Sequence, residues 1–219
     1  MFGRETQDHK RIRVKVCGIT NEADALAAIE CGADALGFNF FRGSKRYLDI
    51  KSAADWITKL PDGIIKVAVL VNPTWLEAID VAKKGFISAL QLHGDETPAF
   101  CQKLAERGIS FAKALPVTEQ ESLVEVPDFF THTLILDSVS SHGFGGTGQT
   151  FPWALGQRFV KTHPTLRVIL AGGLTPENVA RAVQEVRPFG VDVTSGVEVT
   201  PGRKNPGQLQ AFIDAARGA

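Results

Sequence analysis

The sequence predicts a single-domain (β/α)8 TIM barrel. Three observations carry that prediction. Eight short apolar, β-branched runs recur along the 219 residues, with room for a helix between successive runs. Several runs are apolar at consecutive positions, as in VAVLV (67–71) and LIL (134–136). A strand with one wet face would alternate, so these are expected to be buried on both faces, as parallel strands are. Finally, the segment after the first run is CGIT. The runner-up, an open doubly wound sheet, would carry a glycine-rich nucleotide fingerprint there. A length of about 200 residues is the low end for an eightfold barrel.

In chain order, the expected strands are 13–16, 35–40, 64–71, 89–92, 111–115, 134–136, 167–170 and 191–194. Ala25 and Ile29 repeat at helical spacing after Asn21, and 75–84, 98–107 and 207–216 also read as helices. Thr97-Pro98, Thr175-Pro176 and Asn205-Pro206 each set a capping side chain before a proline at the first helical position. Gly32, Gly85 and Gly108 stand where helices should stop. The pattern is weakest over 118–128, which admits only a short helix or an irregular crossover. Trp56, Trp75 and Trp153 read as helix-face packing. No Pro/Ser-rich linker divides the chain, so residues 13–219 are expected to form one domain, and the polar residues 1–12 a disordered leader.

Composition narrows the function. Twenty-four basic and 24 acidic residues cancel, which argues against a nucleic-acid or membrane surface. No apolar run approaches the roughly 18 residues of a membrane span. The three cysteines, 17, 31 and 101, are odd in number and contain no CxxC, so a reducing cytoplasm is expected rather than disulfides or zinc. The five histidines show no metal-ligand spacing, and no metal is expected from them.

Barrel enzymes keep their chemistry at the C-terminal ends of the strands. Cys17 ends the first strand. Free cysteines are usually small buried hydrophobes, and Cys31 and Cys101 are read so. At the rim, before a glycine and a helix start, Cys17 can instead serve as a thiolate nucleophile or base. Asp137 ends LILD, where partial desolvation suits a general acid, although an aspartate there also commonly caps a loop. Arg46, in the basic loop 42–46, suits a carboxylate. His93 ends the fourth strand, where it can touch substrate or carry a proton, although a lone histidine at a strand end is more often structural. Asp192 lies in the eighth strand. Three glycine clusters follow strands six to eight: GFGGTG with Gly146, AGG with Gly172 and Gly173, and SGVE with Ser195 and Gly196. The loops after strands seven and eight are where barrels bind phosphate.

The motifs KVCGIT, GADALGFNF with SKRY, LQLHG, LILDS, GGTGQTF, LAGGLTPENV, and GVDVTSGVE with PGRKN occur in this order between residues 13 and 217. Together they resemble the phosphoribosylanthranilate isomerase family of tryptophan biosynthesis. The resemblance implies a (β/α)8 barrel and an Amadori rearrangement of an aminoaldose phosphate without metal or cofactor. It implies Cys17 as general base and Asp137 as general acid. It also implies Arg46 on the anthranilate carboxylate, Asp192 on the sugar hydroxyls, and the glycine loops on the phosphate. The strand-two loop departs from the family pattern, because FFRGSKRY lacks the proline common before the serine.

Two other function classes remain open from the residues. Another phosphosugar barrel, such as an aldolase, would use an inward lysine, for which Lys15 and Lys113 lie in strands. A non-catalytic phosphate-ligand sensor would bind without turnover. The partner in each case is a small phosphorylated molecule, and the assembly is a monomer or a homodimer.

Overall fold

The computed structural model of the chain describes residues 11–117, 128–138 and 150–219. Eight parallel strands close into a barrel in sequence order. They are β1 (Arg13–Cys17), β2 (Ala35–Asn39), β3 (Ile65–Leu70), β4 (Ala89–Leu92), β5 (Phe111–Val117), β6 (Thr133–Ser138), β7 (Arg167–Leu170) and β8 (Gly190–Val193). The helices among the described residues are α1 (Glu22–Glu30), α2 (Ile50–Ile57), α3 (Trp75–Ala82), α4 (Pro98–Glu106), α5 (Trp153–Thr162), α6 (Val179–Val186) and α7 (Pro206–Arg217). A short antiparallel hairpin that the pattern did not announce, β9 (Glu198–Thr200) with β10 (Arg203–Lys204), follows β8.

Strand side chains alternate between two cores. Val14, Val16, Leu36 and Phe38 belong to the outer core shared with the helices. Phe38 meets Trp56 of α2 edge-on, with ring centroids 5.7 Å apart. Each such fully buried side chain contributes about 1.5–3 kcal/mol. The residues between them face inward, against a smaller core that includes Ala35, Val67, Ala89, Ala112, Ala114 and Ile135. Burial on both faces is why the strands read as unbroken apolar runs. The abundance of alanine inside leaves space for larger polar groups.

The caps follow the sequence at two of three sites. Thr97 accepts from the Phe100 amide and Asn205 from the Gln208 amide. At the third, α6 starts later than Thr175-Pro176 predicts. Asn178 occupies the cap position, and its side chain accepts from the Thr175 amide at 2.8 Å and donates to the Gly173 carbonyl at 2.9 Å. Those bonds hold residues 175–178 as a turn ahead of the helix.

Residues 118–127, almost all of the weakest predicted stretch, and residues 1–10 of the expected leader lie outside the described residues. Arg11 pairs with Asp34 at 3.3 Å, and Ile12 packs against the outer core. Among the described residues no helix is long and apolar enough to cross a membrane.

Candidate active site

Lys15 and Cys17 are two residues apart on β1, so both face the barrel interior. The parallel register sets Lys15 beside Asp192 on β8. Lys15 Nζ donates to Asp192 Oδ2 at 2.8 Å, and both groups are buried. The same ammonium interacts with the Cys17 side chain. Gly37, opposite Cys17 on β2, makes the room: a Cβ there would sit 2.7 Å from Cys17 Sγ and 3.0 Å from Lys15 Nζ. Burial works against the Lys15 charge, but Asp192 and Cys17 more than offset it and raise its pKa. Lys15 is therefore committed to an ion pair with Asp192.

Asp137, near the end of β6, faces the ring of His93: Nε2 lies 3.1 Å from Asp137 Oδ2. The other ring nitrogen, Nδ1, lies 2.8 Å from Gln91 Nε2. Asp137 and His93 are both close enough to Asp192 for their charges to act on it. The Cys17–Lys15–Asp192 group and the Gln91–His93–Asp137 chain therefore meet at one end of the barrel. Cys17 and Asp137 each retain 8% exposure, enough to be touched from the mouth while largely shielded from water. Among the described residues no group of three His, Cys, Asp or Glu side chains could hold a metal ion.

Arg46 is less free than the sequence suggested. Its fork grips Glu198, with Nε 2.9 Å from Oε1 and Nη2 2.6 Å from Oε2. Lys204 adds a second cation 2.9 Å from Glu198 Oε1 and also donates to the Cys17 and Thr194 carbonyls. Burial works against the Glu198 charge, yet Arg46 and Lys204 override it and hold the carboxyl below its ordinary value. This cluster ties the hairpin to the ends of β1 and β8 and leaves Arg46 Nη1 without a protein acceptor among the described residues.

The glycine loops after β7 and β8 pack tightly. Gly172 has φ +83°, and a Cβ there would fall 2.1 Å from Ser138 Oγ. A Cβ on Gly196 would fall 2.0 Å from the Leu174 carbonyl oxygen, so the two loops touch. Gly173 is held by Asn178, and Ser195 opens a single 3-10 turn (Ser195–Val197). Gly146 lies outside the described residues.

Residues 14–215 match the family model described as N-(5'-phosphoribosyl)anthranilate (PRA) isomerase. The chain belongs to the phosphoribosylanthranilate isomerase family. An N-(5'-phosphoribosyl)anthranilate isomerase from Thermotoga neapolitana is 41% identical over 207 residues, covering 94% of this chain and 99% of the relative. A solved phosphoribosylanthranilate isomerase in complex with reduced 1-(o-carboxyphenylamino)-1-deoxyribulose 5-phosphate superposes with TM-score 0.82 at 38% identity. It covers 95% of this chain and 100% of its own. A structure of monomers derived from the dimeric isomerase of Thermotoga maritima has TM-score 0.79 at 37% identity, with the same coverage. The barrel and the family expected from the motifs both hold.

Within this isomerase fold the two strand lysines are already engaged. Lys113 faces away from the interior alanines and donates to Gly94 O, Glu96 and Ala114 O at 2.6, 3.0 and 3.0 Å. With Lys15 held by Asp192, neither offers a free amine for aldolase chemistry. Sequence reasoning did not single out Gln91, Asn178, Glu198 or Lys204. Gln91 was findable, because it precedes His93 by two positions in a strand and must share its face. Glu198 and Lys204 meet only through the hairpin, which no periodicity marked.

Proposed function

We propose that this chain isomerises N-(5'-phosphoribosyl)anthranilate to 1-(2-carboxyphenylamino)-1-deoxyribulose 5-phosphate, a step of tryptophan biosynthesis in the cytoplasm. Cys17 is the general base and Asp137 the general acid. The carrying observation is that both sit at the C-terminal ends of barrel strands, Cys17 beside the Lys15–Asp192 ion pair and Asp137 close enough for its charge to act on Asp192.

Asp137 delivers a proton to the furanose ring oxygen. The C1–O bond breaks as the anthranilate nitrogen shares its electron pair with C1, leaving a protonated Schiff base. That cation acidifies the C2 hydrogen, and the Cys17 thiolate removes it without forming a covalent bond. The resulting enolamine takes a proton at C1 and loses one from the C2 hydroxyl, giving the ketone. Lys15 supplies a fixed positive charge beside the sulfur, so the anion is not left unbalanced in a dry site. Proton transfers alone carry this route, and it calls on no metal or cofactor.

Binding is divided between the ends of the substrate. Arg46, already braced by Glu198, offers Nη1 to the anthranilate carboxylate. Asp192 Oδ1, buried without a partner among the described residues, suits a sugar hydroxyl. The phosphate falls to Gly172, Gly173, Ser195 and Gly196, because the loops after β7 and β8 are where barrels of this kind bind phosphate. His93, expected to touch substrate, has both ring nitrogens engaged within the chain, so its influence runs through Asp137. Every residue invoked comes from one chain, whether it acts as a monomer or a homodimer. The test is the loss of fluorescence of freshly prepared phosphoribosylanthranilate when the protein is added. Catalysed decay supports the proposal, and decay at the buffer rate overturns it.

A further inference from the structure

Gln91 is buried on β4, two positions before His93, and the proposed mechanism does not use it. Its amide nitrogen, Nε2, lies 2.8 Å from His93 Nδ1, and its oxygen, Oε1, is buried without a partner among the described residues. An amide nitrogen can only donate, so Nδ1 must accept. The ring proton of neutral His93 is then on Nε2, the nitrogen 3.1 Å from Asp137 Oδ2. Oδ2 receives that N–H, so a proton on the carboxyl must sit on Oδ1.

We infer that Gln91 is a positioning residue that fixes His93 as an Nε2–H donor to Asp137 and thereby confines the transferable proton of Asp137 to Oδ1. The inference rests on the isomerase reading for its consequence, though not for its geometry. A carboxylic acid that could hold its proton on either oxygen would spend part of each cycle with it turned toward the histidine. Gln91 removes that choice from two side chains away. Among the described residues, Asp192 on β8 is near enough to both Asp137 and His93 for their charges to act on it, and Lys15 on β1 is bonded to Asp192. The hydrogen-bond partner of His93 Nδ1 among the described residues is the Gln91 amide, so the tautomer is set by Gln91.

The experiment has two arms. Nitrogen-15 NMR of the free wild-type protein, labelled at histidine, reads the His93 tautomer directly, with His93→Asn assigning the signal. The Nε2–H form supports the inference; the Nδ1–H form, which would mean Gln91 presents its oxygen, overturns it. The second arm is Gln91→Met, close in size but without a donor. The expected result is a mixed tautomer signal and a kcat lowered about tenfold, part of the roughly 10²–10⁴ that a positioned acid supplies, with KM little changed. A Met variant with wild-type tautomer and kcat overturns the inference. If that variant fails to fold, the wild-type spectrum still decides. Because the spectrum needs no turnover, failure of the relay is distinguishable from failure of the isomerase assignment.

Discussion

Glu198 and Arg46 meet fork to fork at the end of the barrel, with Arg46 Nη2 2.6 Å and Nε 3.1 Å from Glu198 Oε2. They are 152 residues apart in sequence, and Lys204 closes the group from the hairpin. The residue proposed to recognise the substrate carboxylate is therefore held in place by a carboxylate of the protein itself.

Glu198→Gln should leave Arg46 and Lys204 facing each other without an anion between them. Breaking a buried ion pair on one side costs about 3–5 kcal/mol, and the expected loss lies at the lower end because Arg46 can turn toward solvent. Urea unfolding gives the stability. The same variant should raise KM more than it lowers kcat, since Arg46 acts on a remote part of the substrate. Unchanged stability together with an unchanged KM would remove Glu198 from the site.

The same group should give the protein an acid limit. The Glu198 carboxyl is held below its ordinary value of 4.5 in the fold. A carboxyl with a depressed folded value stabilises fully above its unfolded value, and loses that contribution as pH falls through the folded one. The stability gap between wild type and Glu198→Gln should thus be constant from neutral pH to about pH 5 and shrink below about 4.5. A gap independent of pH down to 3 would contradict this.

Gly37→Ala tests the space around the sulfur proposed as the general base. The new methyl would lie 2.7 Å from Cys17 Sγ and 3.1 Å from Cys17 Cα, so the thiol must shift. A displacement of about 1 Å at a reacting group can cost roughly 10² in rate. The expected signature is a kcat reduced on that order, with modest change in binding of a phosphate-bearing product analogue. A variant with wild-type kcat would show that the sulfur position is not critical.

The barrel was legible because its physics is local. Consecutive apolar positions in 67–71 and 134–136 announce strands covered on both faces, and Thr97-Pro98 and Asn205-Pro206 announce helix starts that the backbone adopts. Thr175-Pro176 misled by a turn, because Asn178 bonds back to the Thr175 amide and the Gly173 carbonyl and holds residues 175–178 as a turn ahead of the helix. Cys17 and Asp137 were legible as strand ends. Their surroundings were not. Lys15 beside Asp192 depends on the β1–β8 register, and Glu198 beside Arg46 depends on how β9 folds back. Such pairings join residues more than 100 positions apart, and hydrophobic periodicity carries no record of them.

The most direct test of the account is turnover by Cys17→Ser and Asp137→Asn, each assayed on saturating phosphoribosylanthranilate alongside wild type. The account predicts that kcat falls about 10²–10⁴-fold in both, while affinity for reduced 1-(o-carboxyphenylamino)-1-deoxyribulose 5-phosphate stays within a few-fold of wild type. A near-normal kcat in either variant would contradict it.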